Sequence, residues 1–288
     1  MASLLQELVD LLDLEPLEVN LFRGVSWKDD RPRVFGGQVA GQALVAAGRT
    51  VDEDKNVHSL HAYFLRPGDP TVPIIYEVDR IRDGKSFTTR RVVAIQRGEA
   101  IFNLQASFHV HEEGLEHQVP MPEAPPPETL PRSDEMQPPA TGRLWSRQPV
   151  DIRYVEGPPW EREPAEPARQ LVWIRADGEL PDDPVLHTCV VAYASDYTLL
   201  GASLVPHGRS YFRDDVMMAS LDHAMWFHRP FRADEWLLYS QTSPSASGGR
   251  GLSYGAIFRQ DGALAVSVVQ EGLIRPVDPT RVSHRYKG

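Results

Sequence analysis

Apolar residues recur along this chain in two rhythms. Residues 3 to 14 place Leu4, Leu8, Leu11 and Leu12 on one stripe, with Ser3 and Gln6 spaced as a capping box. They predict an amphipathic packing helix. Phe35 to Val51 predicts a second helix nearly free of bulk, carrying Gly36, Gly37, Ala40, Gly41, Ala43, Ala46 and Ala47. Gly inside a helix costs roughly 1 kcal/mol against Ala, and close approach of this backbone to a sheet is the expected compensation. Gly48 is the expected C-cap. The rhythm then changes to alternation. Val57 to Val110 reads as consecutive strands, with hairpin turns at Asp83-Gly84 and Arg97-Gly98. In the last of them Phe102, Leu104, Ala106, Phe108 and Val110 take one face, and Asn103, Gln105, Ser107 and His109 take the other. An antiparallel sheet with one face on a helix follows.

Pro120 to Pro167 breaks both rhythms with Pro125-Pro126-Pro127, Pro138-Pro139 and Pro158-Pro159. It reads as a connection, partly ordered by Trp145 and Trp160. The pattern then starts again. Gln170 to Arg175 predicts a strand, and Asp183 with Pro184 predicts the N-cap and N1 of a helix running to about Leu200. Strands follow around Asp222 and Trp236, over Ser253 to Gln260, and over Leu264 to Arg275 after an Asp261-Gly262 turn. His61-Ala62 overlays on His223-Ala224, and Arg97-Gly98 on Asp261-Gly262, at nearly equal offsets. The chain therefore reads as one unit written twice: 1–118, a proline-rich linker over 119–167, and 168–288.

Composition narrows the partners. The 288 residues carry a net charge of −10, which argues against a nucleic-acid or anionic-membrane binder. No run approaches the roughly 20 apolar residues of a spanning helix, so no membrane insertion is expected. Met1 to Leu14 carries acids and no base, unlike a signal peptide, and His284-Arg285-Tyr286-Lys287-Gly288 is no peroxisomal tripeptide. The single cysteine, Cys189, suits a reducing compartment, and a cytoplasmic location is expected.

The repeat exposes polar residues in apolar rows. Where the first half has Ala106 in the inward row of its last strand, the second has Gln270. A Gln facing a core costs about 1–3 kcal/mol unless its amide is hydrogen-bonded. On the helix before it, Leu186, Cys189, Tyr193, Asp196 and Leu200 share one stripe, so Asp196 is expected to face the sheet rather than water. Gln270 and Ser220 are the right donors to hold that carboxylate ionised. Asp, Ser and Gln together can position one water, with the Asp as general base. Helix-terminal amides, at Gly36 and Gly37 among others, can meet an oxyanion. A polar cluster that only pins helix to sheet accounts for the same spacing, so the chemistry stays open at this point.

Other motifs carry less. Gly251-Leu252-Ser253-Tyr254-Gly255 matches a nucleophile elbow but runs on as a strand where that motif needs a helix. His109, His111 and His117 with Glu112, Glu113 and Glu116 fit no zinc spacing, so no metal is expected. Arg80, Arg82, Lys85, Arg90, Arg91 and Arg97 read as a solvated strand face, or as a site for ligand phosphates. No dinucleotide fingerprint is present, and no cofactor is expected.

Six segments resemble the acyl-CoA thioesterase II family. They are Phe35-Gly36-Gly37-Gln38, His61-Ala62-Tyr63-Phe64-Leu65-Arg66-Pro67-Gly68, Asp83-Gly84-Lys85-Ser86-Phe87, Tyr193-Ala194-Ser195-Asp196, Asp222-His223-Ala224-Met225-Trp226-Phe227-His228-Arg229-Pro230 and Val269-Gln270-Glu271-Gly272. The resemblance implies an α+β double hot-dog: two tandem helix-wrapped antiparallel sheets joined into one extended sheet. It implies hydrolysis of fatty acyl-CoA without a covalent intermediate, with Asp196, Ser220 and Gln270 as the catalytic set. Ser220 stands where a bacterial relative has Thr. Gly36, Gly37, His223, Arg90 and Arg91 are the expected substrate contacts. One site per chain is expected, because Ala106 replaces the Gln in the first half, and so is a homo-oligomer, dimer or tetramer. A non-catalytic acyl-CoA-binding protein and a hot-dog enoyl-CoA hydratase, with His223 beside Asp196, are the alternatives.

Overall fold

The computed structural model describes residues 3–27, 31–136, 148–213 and 215–277. Met1, Pro138-Pro139, Trp145 and His284 to Gly288 lie outside them. In chain order the elements are α1 (Leu4–Leu12), β1 (Glu15–Glu18), β2 (Leu21–Gly24), α2 (Gly36–Gly48), β3 (Lys55–Phe64), β4 (Ile74–Asp83), β5 (Phe87–Gln96), β6 (Glu99–Val110), β7 (Val150–Tyr154), β8 (Arg169–Ala176), α3 (Pro184–Ser195), β9 (Val216–Ser220), β10 (Asp222–Phe227), β11 (Leu237–Ser247), β12 (Arg250–Arg259) and β13 (Leu264–Pro276). A 3₁₀ stretch, Leu199–His207, extends the course of α3.

Among the described residues the strands join into one 13-stranded antiparallel sheet in the order β1-β2-β4-β5-β6-β3-β10-β13-β12-β11-β8-β7, with β9 beside β13. The order reads the same from either edge: β3 and β10 meet at the centre, each flanked by the last strand of its own half. The α+β architecture and the repeated halves of the sequence reading are therefore present. The turns follow their residues. Arg97 and Gly98 both have positive φ, 51° and 80°, as a tight hairpin with matching twist requires.

Three details differ from the sequence reading. First, the repeat is one residue out. His61 lies opposite Ala224 across the central seam. Leu60 faces Ala106 on β6, and His223 extends the β10–β13 ladder to the position facing Gln270. Leu60, not His61, thus holds the place of His223. In a strand a slip of one residue exchanges the faces, which is why His61 is exposed while His223 is 1% exposed. Second, the small residues of α2 serve its approach to α3 rather than to the sheet. A Cβ on Gly37 would lie 2.2 Å from the Tyr193 carbonyl oxygen, and one on Gly41 3.3 Å from that of Cys189. Gly48 is the last helical residue, with Arg49 as C-cap. Third, α3 ends at Ser195, so Asp196 is its C-cap rather than a mid-helix residue.

Pro184–His207 is long and apolar enough to cross a membrane by length and composition, but it is mostly buried inside the fold. It is the core helix of the second half. The proline-rich segment is not only a connection. Val150–Tyr154 pairs with β8 as an edge strand. Met121, Ala124 and Leu130 pack on Leu171, Trp173, Trp236, Leu238 and Phe258, and Trp173 Nε1 donates to the Pro125 carbonyl at 2.9 Å.

Candidate active site

α2 and α3 lie side by side on the inner face of the sheet, running in opposite directions. The N-terminus of α2 therefore meets the C-terminus of α3. At that junction Asp196 leaves α3, and β9 and β13 bring up Ser220 and Gln270 from below. Ser220 Oγ donates to Asp196 Oδ1 at 2.9 Å, and Gln270 Nε2 donates to the same oxygen at 2.5 Å and to Ser220 Oγ at 3.0 Å. Both amide protons of Gln270 are thereby committed. The backbone N–H of Gly37, in the first turn of α2, faces the carboxylate and favours its charged form. That places an anion at a helix N-terminus, where the helix dipole favours negative charge.

These donors do not fully offset desolvation. Burial pushes the Asp196 carboxyl up to about 6, while the bonds from Gln270, Ser220 and Gly37 pull it down. Asp196 and Ser220 are partly exposed, while Gln270 is 0% exposed. Asp196 is thus not sealed from water, but its carboxylate is turned to Ser220 and Gln270 on the sheet, as its helix stripe predicts. A carboxylate whose affinity for protons is poised near neutrality can take a proton from a water. Gly36 packs against this carboxylate. A Cβ there would lie 2.6 Å from Asp196 Oδ2 and 2.8 Å from the Phe64 ring, so any larger residue would crowd the carboxylate.

The other expected substrate contacts divide. Gly36 and Gly37 are at the site. Arg90 is not a surface cation: it is 1% exposed, on the inner face of the first half. Its guanidinium donates to Thr50 Oγ1 at 2.8 Å, to the Thr50 carbonyl at 2.9 Å, to the Arg82 and Thr89 carbonyls at 3.1 Å, and to Asp83. It stitches the end of α2 to the sheet, because a buried cation must be fully bonded. Arg91 points to the opposite, outer face, 3.2 Å from Asp79, with the sheet between it and Asp196. His223 is buried, and burial lowers its proton affinity to about 4, so it is neutral at pH 7. Its Nε2 lies 2.8 Å from Ser195 Oγ, a partner that the spacing of the segment did not announce. Ser195 Oγ also donates to the Ala192 carbonyl, as a serine in a last helical turn commonly does.

The remaining motifs have structural places. Ser253 lies within β12, opposite Gln270, with no helix after it. His109 stacks on Phe87 at 4.1 Å and stands 3.4 Å from Glu112.

Two antiparallel helices on one continuous sheet, with a carboxylate at their junction, define a double hot-dog fold. The fold is shared with a protein of unknown function with hot-dog fold from Alicyclobacillus acidocaldarius, at TM-score 0.78 and 22% identity, covering 94% of this chain and 99% of that one. It is shared more closely with acyl-CoA thioesterase II TesB2 from Mycobacterium marinum, at TM-score 0.79 and 49% identity, covering 95% and 98%. The acyl-CoA thioesterase family model matches residues 147–273, and the acyl-CoA thioesterase N-terminal domain matches residues 25–109. Mouse acyl-coenzyme A thioesterase 8 is 46% identical over 282 residues, covering 92% of this chain and 88% of that protein. The chain belongs to the acyl-CoA thioesterase family, and its enzyme class is thioesterase.

Proposed function

We propose that this chain hydrolyses fatty acyl-CoA thioesters to the free acid and CoA by direct attack of water, with no covalent intermediate. Asp196 is the general base. It takes a proton from a water at its exposed side as the water oxygen bonds to the thioester carbonyl carbon. The carbonyl oxygen gains charge and is met by the backbone amide of Gly36 at the N-terminus of α2, since that of Gly37 is turned to Asp196. When the carbon–sulfur bond breaks, the proton held by Asp196 passes to the departing thiolate. Ser220 and Gln270 hold the carboxylate in one orientation and keep it ionised.

One observation carries this reading: Ser220 Oγ and Gln270 Nε2 converge on a single oxygen of Asp196. The other carboxylate oxygen receives no side-chain hydrogen bond among the described residues, and it is the one assigned to the water. The inner row of the first half has Ala106 in place of Gln270, which supports one site per chain. A hydratase on this fold would set a histidine against the aspartate. Here His223 Nε2 is bonded to Ser195, which favours hydrolysis. The wider reading, a homo-oligomer from the family resemblance and a cytoplasmic location from the single cysteine, is tested by light scattering and localisation of the tagged protein.

The test is free-thiol release from a panel of acyl-CoAs, acetyl to palmitoyl, with wild type and Gln270→Ala side by side. Turnover that collapses in the variant is the expected result. Turnover indifferent to Gln270 would remove the site while leaving the activity. Saturable binding without turnover would make this an acyl-CoA-binding protein.

A further inference from the structure

Three residues of the second half stand in one row across the inner face: His223 on β10, Gln270 on β13 and Ser253 on β12. Ser253 pairs directly with Gln270, and His223 occupies the next position of the β10–β13 ladder. They are 1%, 0% and 0% exposed. Each holds one buried polar atom with no hydrogen-bond partner among the described residues: His223 Nδ1, Gln270 Oε1 and Ser253 Oγ. Buried polar atoms are rarely left unpaired, and three in adjacent positions of one row call for a common explanation.

Counting protons supplies it. Ser195 Oγ has a single proton, and the Ala192 carbonyl at 2.9 Å is a stronger acceptor than Met225 Sδ at 3.6 Å, so the bond between Ser195 and His223 is assigned a proton on His223 Nε2. A neutral imidazole protonated at Nε2 has Nδ1 as an acceptor. Gln270 spends both amide protons on Asp196 and Ser220, so its Oε1 is an acceptor as well. The row thus contains two acceptors, and the Ser253 hydroxyl is the one donor among its unpaired atoms. One hydroxyl cannot satisfy both. A water molecule brings two protons and can accept the third bond from Ser253.

We propose that this row binds buried water, distinct from the attacking water, which donates to Gln270 Oε1 and His223 Nδ1 and accepts from Ser253. Ser253 and His223 are thereby positioning residues for Gln270. An amide oxygen held from behind cannot rotate toward Asp196, where it would repel the carboxylate. The donor side of Gln270 stays locked on Asp196 and Ser220, and polarisation through the chain strengthens those bonds. The first half shows the contrast. Its matching row is Leu60, Ala106 and Arg90, in which Arg90 is the only polar member and is fully bonded to its own surroundings. The serine in Gly251-Leu252-Ser253-Tyr254-Gly255 then has a role unrelated to nucleophilic attack. The glycines flanking it on the same face are filled by neighbours, Ser203 against Gly251 and Tyr239 against Gly255, which roofs the hydroxyl on both sides.

Two experiments test this, and they fail separately. A crystal structure of the wild-type protein, at a resolution that shows ordered water, should place water within about 3 Å of Gln270 Oε1 and His223 Nδ1. A dry row, with Ser253 bonded directly to Gln270, would overturn the proposal. The kinetic arm rests on the proposed hydrolysis. Ser253→Ala should lower kcat roughly tenfold with KM near wild type, because part of the general-base advantage is lost. The acid limb of its rate profile should move to higher pH, because a loosened Gln270 holds the Asp196 carboxylate less well. A variant that folds with wild-type kcat and an unmoved acid limb would remove the positioning role. Wild type inactive on every thioester would sink the proposed hydrolysis and leave the crystallographic result to stand alone.

Discussion

The backbone N–H of Gly37, in the first turn of α2, faces the carboxylate of Asp196, which caps the last turn of α3, and favours its charged form. One helix comes from each half of the repeat, so the site exists only where the two halves meet. The contact depends on close passage of the two helices, and the absent side chain of Gly37 permits it. A Cβ there would stand 2.2 Å from the Tyr193 carbonyl oxygen, which is backbone and cannot swing aside. Gly37→Ala should therefore destabilise the protein by roughly 1–3 kcal/mol, the usual cost of overpacking. Thermal melts check the stability. Hydrolysis measured well below the melting temperature should fall further than the residual fold accounts for, because Asp196 loses its amide partner.

Replacing Asp196 by Asn removes the proposed base, and hydrolysis should drop by roughly 10²–10⁴-fold with the fold retained. The same residue sets the pH dependence. With a carboxyl pushed up to about 6, wild-type kcat/KM should fall as pH drops through that value. Stability runs the other way. The folded state holds this proton more tightly than the unfolded chain, whose carboxyl titrates near 3.8. The contribution is full at acid pH and is lost as pH rises toward 6. The stability of Asp196→Asn relative to wild type should therefore improve between pH 4 and pH 7, by up to roughly 3 kcal/mol. Denaturant titrations of both proteins across that range would show it, and parallel curves would contradict it.

His223 has the opposite sign. Its proton affinity is lowered from 6.5 to about 4 by burial. Between those values the unfolded chain takes up a proton that the folded chain refuses, so acidification costs stability, by up to roughly 3 kcal/mol. His223→Leu places there the residue found at the matching position of the first half, Leu60. The variant should lose less stability than wild type between pH 6.5 and pH 4, read from melting temperatures at several pH values.

Arg90 separates a structural cation from a ligand-binding one. Its guanidinium lies between Thr50 at the end of α2 and the β4–β5 turn around Asp83. Arg90→Leu leaves those groups without their donor and should cost roughly 3 kcal/mol or more. KM for acyl-CoA should not change in the folded fraction. A raised KM with unchanged stability would instead return Arg90 to the phosphate site.

Much of this protein is written locally. Ser3 accepts from the Gln6 amide at 3.1 Å, Asp183 caps α3 through Val185 and Leu186, and Arg97-Gly98 turns its hairpin. These features depend on residues within one turn of each other, so spacing alone predicts them. The alternating strands and the repeat were legible for the same reason, and so was the oddity of Gln270 where the first half has Ala106. Asp196, Ser220 and Gln270 could each be singled out as a polar residue in an apolar row. Their convergence on one oxygen could not, because it depends on where three separate elements end. What only the tertiary structure decided is everything set by close approach and by face. Gly37 reads as helix–sheet packing until the other helix is seen beside it. Arg90 reads as a surface cation until Thr50 is found against it. His61 and His223 look equivalent until strand pairing shows them one residue apart. Local pattern gives the period of an element. Which neighbour fills each face is settled by packing between residues far apart in the chain, and in a strand a shift of one residue is enough to reverse it.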